Sequence, residues 1–371
     1  RDVFDWQKKD GRLPQIAPYG GTDFYMWTMN GSVGWSDVGI LNPYRFWKMY
    51  GDRRILTEYY DRMKRYAQFM MRRCGKSGFM ARPLGLKGEA GKYAVNTGQS
   101  YGEWAEPADV HPNDWKDMAA PHPEVSTAYT SHVLGCMAEI AQELKCDEDA
   151  AVFRRYSEGC RKAYQEMAET AGYSLDTDRQ ARLVRHLAFA LLDGEQTAYA
   201  RERLLRALEN YGWRLGTGFL STPLILEVLA EFDLEAAYRL LENEEMPGWL
   251  FMPKNGATTV WESWEGPCAQ GGIASLNHYS KGAVCAWLFQ TMCGIRMDGE
   301  NRFVIAPRPG GSFTYAGAEY RSIYGMVRSG WRREKGKTVY TVTVPANCEA
   351  ELRIPGRMPE TVDAGDYVLT V

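Results

Sequence analysis

Apolar residues recur at steps of three and four through the first three quarters of the chain, and at steps of two through the last quarter. The first period is that of an amphipathic helix and the second that of a half-buried strand. A helix is predicted from Asp37 to about Tyr50, closed by the Gly51-Asp52 break. The next carries the stripe Leu56, Tyr59, Met63, Tyr66 and Met70. A long polar loop runs to about His122. Two further helices follow, one with Val133, Met137, Ile140 and Leu144, the other with Phe153, Tyr156, Cys160, Tyr164 and Met167. The acidic run Asp147-Glu148-Asp149 opens the second of these, where the helix dipole favours negative charge. Shorter helices are predicted around 179–193, 196–210, 222–232 and 233–244, and a last one over about 276–291.

Roughly ten helices joined alternately by tight turns and long loops form the pattern of an αα-toroid, in which hairpins circle a funnel. A closed six-hairpin barrel needs about two more. The opening Arg1-Asp2-Val3-Phe4-Asp5-Trp6 reads as the tail of a helix already under way, so an N-terminal part of the same protein is expected to be missing. After Gly294 the pattern changes. Phe303–Ile305, Glu319–Ile323, Gly325–Trp331, Thr338–Val344 and Ala350–Ile354 are short, often alternating and separated by Pro, Gly and Asn, the marks of strands. The expected fold is mainly α: an (α/α)6 toroid, incomplete at its N-terminus, over residues 1–294, then a small antiparallel β-sandwich over 295–371.

With 371 residues and 45% apolar content, a sizeable core is available and global disorder is excluded. A net charge of −3 without a basic run argues against nucleic acid and anionic membrane surfaces as partners. No apolar run reaches membrane-spanning length; Gln290 interrupts the longest, Ala283–Ile295. The eight cysteines form no C-x-x-C pair, and Cys136, Cys160 and Cys285 read as reduced core residues. His111, His122, His132 and His186 show no spacing that suggests a metal site. Trp6, Trp27, Trp47, Trp213, Trp249, Trp287 and Trp331 are assigned mostly to the core, with Trp249 a candidate for the pocket edge.

The candidate chemistry lies in Gly256 to Gly266, where Trp261-Glu262-Ser263-Trp264 sets a carboxylate between two indoles. A flat indole packs against the C–H face of a pyranose, and an adjacent carboxylate accepts a proton from water or holds a hydroxyl. Ser275-Leu276-Asn277-His278-Tyr279 supplies a second polar-aromatic cluster. Aromatic share, 13% with 12 Trp and 22 Tyr, fits a sugar cleft as well as a core. Glu265 is a second carboxylate in the run and a weaker rival to Glu262, because its i+3 spacing near a helix start suits a cap.

These stretches, with others in the same order, resemble the α-L-rhamnosidases, family 78-like glycoside hydrolases with an (α/α)6 barrel. The resemblance runs through Gln7–Pro14 with Ala17-Pro18, Gly34-Trp35-Ser36-Asp37, Tyr50-Gly51-Asp52, Gly102-Glu103-Trp104, Thr127-Ala128-Tyr129, Gly216–Pro223, Gly256–Trp264, Ser275–Tyr279 and Ile305–Pro309, nearly the whole chain. It implies an inverting hydrolase of terminal α-L-rhamnose with two carboxyl groups and no organic cofactor. Glu262 stands where the family has its general base. Trp35 and Trp104 match sugar-stacking indoles, Asp37 and Glu103 match carboxylates that hold sugar hydroxyls, and His278 matches a sugar-binding His. The family more often has Asp where Glu103 stands. Asp37 equally suits an N-cap of the helix it precedes. The family's general-acid motif, D-C-P-x-R-(x)-E-R-x-G-W, does not occur in the chain, so the acid is expected upstream. Two rival readings remain: the same barrel acting on another sugar, and a carbohydrate-binding piece that transfers no proton.

Overall fold

The computed structural model describes residues 1–18, 27–111, 116–117, 120–269 and 274–371, without the Trp27 side chain. The sequence assignment of Trp27, and parts of the loops at 14–34 and before His122, lie outside the described residues. Backbone contacts divide the chain into two compact units, one of residues 1–45 and 53–224, the other of 46–52 and 225–371.

In the first unit the predicted stripes become helix faces. Helices α1 (Val38–Tyr50, whose last turns fall in the second unit) and α2 (Arg54–Met71) are followed by α3 (Pro123–Glu143), α4 (Asp147–Ala168), α5 (Gln180–Ala188) and α6 (Gly194–Asn210). Leu56, Met63, Tyr66 and Met70 of α2 are fully buried, as are Val133, Met137 and Ile140 of α3. Helices α3 and α4 pack as a hairpin. The turn between them is short because Lys145 adopts a left-handed conformation (φ 59°) and the Cys146 N–H reaches back to Ala141 O at 2.8 Å, a Schellman-type stop. Helix α6 opens on a capping box in which Asp193 accepts from the Gln196 N–H and the Gln196 side chain accepts from the Asp193 N–H.

After the end of α1, the second unit continues with the hairpin of α7 (Ile225–Phe232) and α8 (Leu234–Leu241), the latter capped by Asp233. The single helix expected over 276–291 is divided instead. His278 caps a turn at Tyr279–Gly282, Val284–Trp287 forms another, and Leu288–Met292 is wound as a π-turn. Eight strands follow: β1 (Ile295–Met297), β2 (Arg302–Ile305), β3 (Tyr315–Ser322), β4 (Gly325–Glu334), β5 (Lys337–Val344), β6 (Glu349–Leu352), β7 (Glu360–Val362) and β8 (Gly365–Thr370). They form two four-stranded sheets, β1-β2-β6-β7 and β3-β4-β5-β8. Every pairing is antiparallel except β2–β6. That pair is parallel because the chain leaves β2, builds three strands of the other sheet, and returns in the original direction. The β4–β5 turn is Lys335-Gly336 with φ 48° and 81°, the I′ geometry that matches strand twist. Phe303, Ile305, Val327, Trp331, Val342, Ala350 and Leu352 are buried inside the sheets.

Several sequence assignments are corrected. Trp6 is 42% exposed, because the turn at Asp2–Asp5 buries Phe4 instead. Trp47 and Trp213 are half-buried, while Trp249, Trp287 and Trp331 are core. Cys285 is exposed on its short helix, whereas Cys136 and Cys160 are buried. Among the described residues no helix is long and apolar enough to cross a membrane.

Candidate active site

In the second unit, the run after Gly256 lies beside the Ser275–His278 segment. The Glu262 N–H donates to Ser275 O and the His278 N–H donates to Val260 O, both at 2.8 Å. This short ladder aims the Glu262 side chain. Its Oε2 accepts from the Ser275 N–H at 2.8 Å, and Oε1 stands 4.0 Å from His278 Nε2. The Glu262 side chain is 29% exposed, so solvent reaches it. His278 Nδ1 accepts from the Ser280 N–H at 3.3 Å, which leaves the ring proton on Nε2, the nitrogen that faces Glu262. Tyr279, 78% exposed, stacks on the His278 ring at 5.2 Å.

Beneath the carboxylate lies Lys281, which is fully buried. Its ammonium donates to Glu262 O and sits 4.7 Å from the centre of the Trp264 ring, a cation–π contact. The Trp249 indole N–H donates to Lys281 O at 3.0 Å. Burial pulls the Lys281 pKa down to about 8, against the opposing pull of Glu262 and Glu265. Trp261 and Trp264 are themselves buried. Trp261 packs on Gly266, where an added Cβ would come within 2.2 Å of the ring, at φ 53°. The two indoles thus wall the segment from inside. Glu265 precedes a short 3-10 turn at Gly266–Cys268 without a side-chain cap hydrogen bond.

In the first unit, Trp35 and Trp104 meet through Tyr101, whose ring lies 5.1 Å from Trp35 and 5.9 Å from Trp104. Phe219 flanks Trp35 at 6.0 Å, and the Trp35 indole N–H donates to Gly102 O at 3.1 Å. Trp35, Tyr101 and Trp104 are half-buried, so the group forms an aromatic wall with accessible edges.

Behind that wall Glu103 is buried and saturated. Its Oε1 accepts from the Gly218 N–H (3.1 Å) and the Ser221 N–H (2.8 Å), and Oε2 from the Ser221 hydroxyl (2.9 Å) and Arg185. Burial raises its pKa, with Arg185 opposing. Arg185 also pairs with Glu124, which accepts from the Tyr164 hydroxyl at 2.8 Å. Gly218 is obligatory, since a Cβ there would stand 1.8 Å from Glu103 O. Asp37 is likewise buried. It accepts from the Gly34 N–H and the Tyr66 hydroxyl, both at 2.7 Å, while its backbone oxygen begins α1. Burial pushes its pKa up to about 6.

A family model for the bacterial alpha-L-rhamnosidase 6 hairpin glycosidase domain matches residues 1–292, and one for the bacterial alpha-L-rhamnosidase C-terminal domain matches 296–367. The chain belongs to the bacterial α-L-rhamnosidase family. An alpha-L-rhamnosidase of Streptomyces avermitilis is 31% identical over 97% of this chain, and one of Formosa agariphila is 31% identical over 96%. Those matches cover 33% and 37% of the two relatives, so the chain spans about a third of their length. The crystal structure of the Streptomyces avermitilis α-L-rhamnosidase complexed with L-rhamnose aligns with all of this chain and 35% of its own, at TM-score 0.81 and 29% identity. The structure of the Aspergillus terreus α-L-rhamnosidase aligns at TM-score 0.80 and 25% identity, covering all of this chain and 42% of its own.

Within this rhamnosidase-family chain, sequence reasoning missed Lys281, Tyr101, Phe219 and Arg185. A lone lysine in the otherwise apolar run after Tyr279 was the available signal for the first. It also missed a cleft of about 620 Å³ in the first unit, where Asp117 lies 3.5 Å from His111 and 3.9 Å from His122, beside Arg82, Tyr173 and Arg179. Among the described residues no group of three or more His, Cys, Asp or Glu could hold a metal ion.

Proposed function

We propose that this chain carries the water-activating part of an inverting α-L-rhamnosidase, with Glu262 as general base. The observation that carries the reading is the asymmetric hold on the Glu262 carboxylate. One oxygen is fixed by the Ser275 N–H, the other stands 4.0 Å from His278 Nε2, and solvent reaches the side chain. A carboxylate so held can take a proton from water at Oε1 without turning. The water oxygen then bonds to the anomeric carbon as the glycosidic C–O bond breaks, and the departing oxygen takes a proton from a general acid. The family resemblance assigns that acid to a motif the 371 residues lack, and the proposal places it outside them.

His278 is assigned to a sugar hydroxyl, and Trp35 and Trp104 to stacking. The saturated Glu103 and Asp37 are assigned to holding the aromatic wall and the start of α1 in place. Trp261 and Trp264 support the base from beneath. Residues 1–294 form the barrel part and 295–371 the trailing sandwich. Rhamnose as the sugar rests on relatives named alpha-L-rhamnosidase at 31% identity.

The test is Glu262→Gln in the full-length protein, assayed on p-nitrophenyl α-L-rhamnoside. A fall in kcat of about 10²–10⁴-fold is expected, and proton NMR of the wild-type reaction should detect β-rhamnose first. Near wild-type turnover by the variant, or α-rhamnose as first product, would overturn the reading.

A further inference from the structure

The outer face of the β3-β4-β5-β8 sheet holds a furrow that the fold does not require. Gly317 of β3 and Gly330 of β4 are paired directly across the ladder, with Thr341 of β5 next in the row. Tyr315, Arg332 and Val339 form the row on one side, and Glu319, Arg328 and Thr343 the row on the other. Residues two apart on a strand stand about 7 Å from one another. The two flanking rows are therefore about 14 Å apart, and β3 and β4 put no side chain between them. On the Tyr315 side of the glycine pair the space amounts to about 450 Å³, lined by Tyr315, Gly317, Gly330, Arg332, Glu334 and Thr341 among others, and the Glu319–Arg328 row stands beyond its far edge.

Neither glycine serves the backbone. Neither has a φ in the left-handed region, and a Cβ on Gly317 would meet nothing nearer than 3.8 Å. A Cβ on Gly330 would come 3.3 Å from Ala316 O and Thr341 Oγ1, tight but adjustable. β-branched residues at such sites stabilise a sheet by up to about 1 kcal/mol each. The sequence forgoes that stability at two facing positions and keeps an open floor, which is how strands admit the close approach of a ligand.

We infer that this furrow is an additional saccharide-binding site, taking an uncharged sugar ring across the Gly317–Gly330 pair with one face against Tyr315. Tyr315 is 67% exposed and presents an aromatic surface to C–H groups. The rims carry paired opposite charges, Arg328 with Glu319 at 2.8 Å and Arg332 with Glu334 at 3.9 Å. Their net charge is zero, and together with the Thr341 hydroxyl they offer both donors and acceptors. That balance complements a neutral polyol. An anion would meet the carboxylates, and a purely apolar partner would strip solvent from the ion pairs.

The experiment is affinity electrophoresis of the full-length protein through gels containing a neutral rhamnose-containing polysaccharide. Gly317→Thr fills the furrow, and Tyr315→Ala removes its aromatic wall. Retardation of the wild type is expected to fall at least twofold in both variants. The kcat/KM on p-nitrophenyl α-L-rhamnoside should be unchanged, and the Tm of Gly317→Thr unchanged or higher. A stabilised variant that loses glycan binding is a signature that misfolding does not produce. Equal retardation of wild type and Gly317→Thr overturns the inference, as does absence of retardation in the wild type. Variant-sensitive retardation by polygalacturonate alone also overturns it, as does loss of self-association with glycan binding intact. Failure of the protein to cleave the aryl rhamnoside would instead sink the hydrolase reading and leave the retardation result standing.

Discussion

Lys281 donates from its ammonium to the backbone carbonyl of Glu262, so a buried cation holds the residue whose carboxylate the Ser275 N–H also holds. The lysine reaches this position through the turn that His278 caps. Carboxylate and cation are thus held by one short segment.

Replacing Lys281 by Met removes the hydrogen bond and the contact with Trp264 while keeping most of the side-chain volume. With Glu262 as the proposed base, we expect kcat of the full-length protein to fall about tenfold or more, with KM within a factor of about three, because the loss acts on that carboxylate and not on the proposed sugar contacts. The pH dependence of stability gives a second readout. The folded pKa is about 8 against 10.5 for the free side chain, so the unfolded state binds more protons between those values. Below about pH 8 the buried charge carries its full cost, and stability gains from this residue as pH rises from about 8 to 10.5. Thermal unfolding across that range should show this gain in the wild type and lose it in Lys281→Met.

Asp37 produces a slope of opposite sense at lower pH. Its pKa rises from 3.8 to about 6 on folding, so the folded state binds the extra proton between those values. Its contribution to stability is therefore best below about pH 4 and declines as pH rises to 6. Asp37→Asn, which keeps an oxygen to accept from the Gly34 N–H or the Tyr66 hydroxyl, should remove that decline in Tm scans between pH 4 and 6.5. An unchanged slope would mean that Asp37 does not retain its proton in the folded chain.

Glu103→Ala would leave Arg185 facing Glu124 alone and strand the Gly218 and Ser221 N–H groups. Breaking a buried pair in this way costs about 3–5 kcal/mol. Urea unfolding should show a loss of that size, with Glu103→Gln losing less because its amide oxygen still accepts from both N–H groups. Equal stability of Glu103→Ala and wild type would place Glu103 outside the structural network and return it to the sugar.

Trp35→Ala removes the proposed stacking face and a hydrogen bond to Gly102, and leaves the proposed base in place. We expect KM on the aryl rhamnoside to rise about tenfold and kcat to change by less than about threefold, since stacking acts on ground and transition states alike.

The helical stripes were legible because a single buried face repeats at 3.6 residues, as Leu56, Met63, Tyr66 and Met70 display. Strands β1, β7 and β8 were not, since β1 and β7 have only three residues each and Tyr367, Leu369 and their exposed neighbours carry little contrast in burial. The Ser275–His278 cluster and Glu262 stood out in the sequence as polar groups among aromatics, and the backbone ladder between them is what the structure adds. The engagement of Glu103 was hidden, because its partners Arg185, Gly218 and Ser221 lie 82, 115 and 118 residues away. Sequence shows a carboxylate next to Trp104; only packing shows that its lone pairs are already taken.

The same packing fastens two loops together. Glu103 bonds to Gly218 and Ser221, and the Phe219 N–H donates to Trp104 O at 2.9 Å. The backbones of Trp104 and Phe219 are therefore joined directly. Loops fastened in this way are expected to lose little motional freedom when a ligand reaches the wall, with no slow rearrangement before contact. Association with this wall should then follow a single exponential phase whose rate grows linearly with ligand concentration, the kinetics of a rigid receptor rather than of a closing lid.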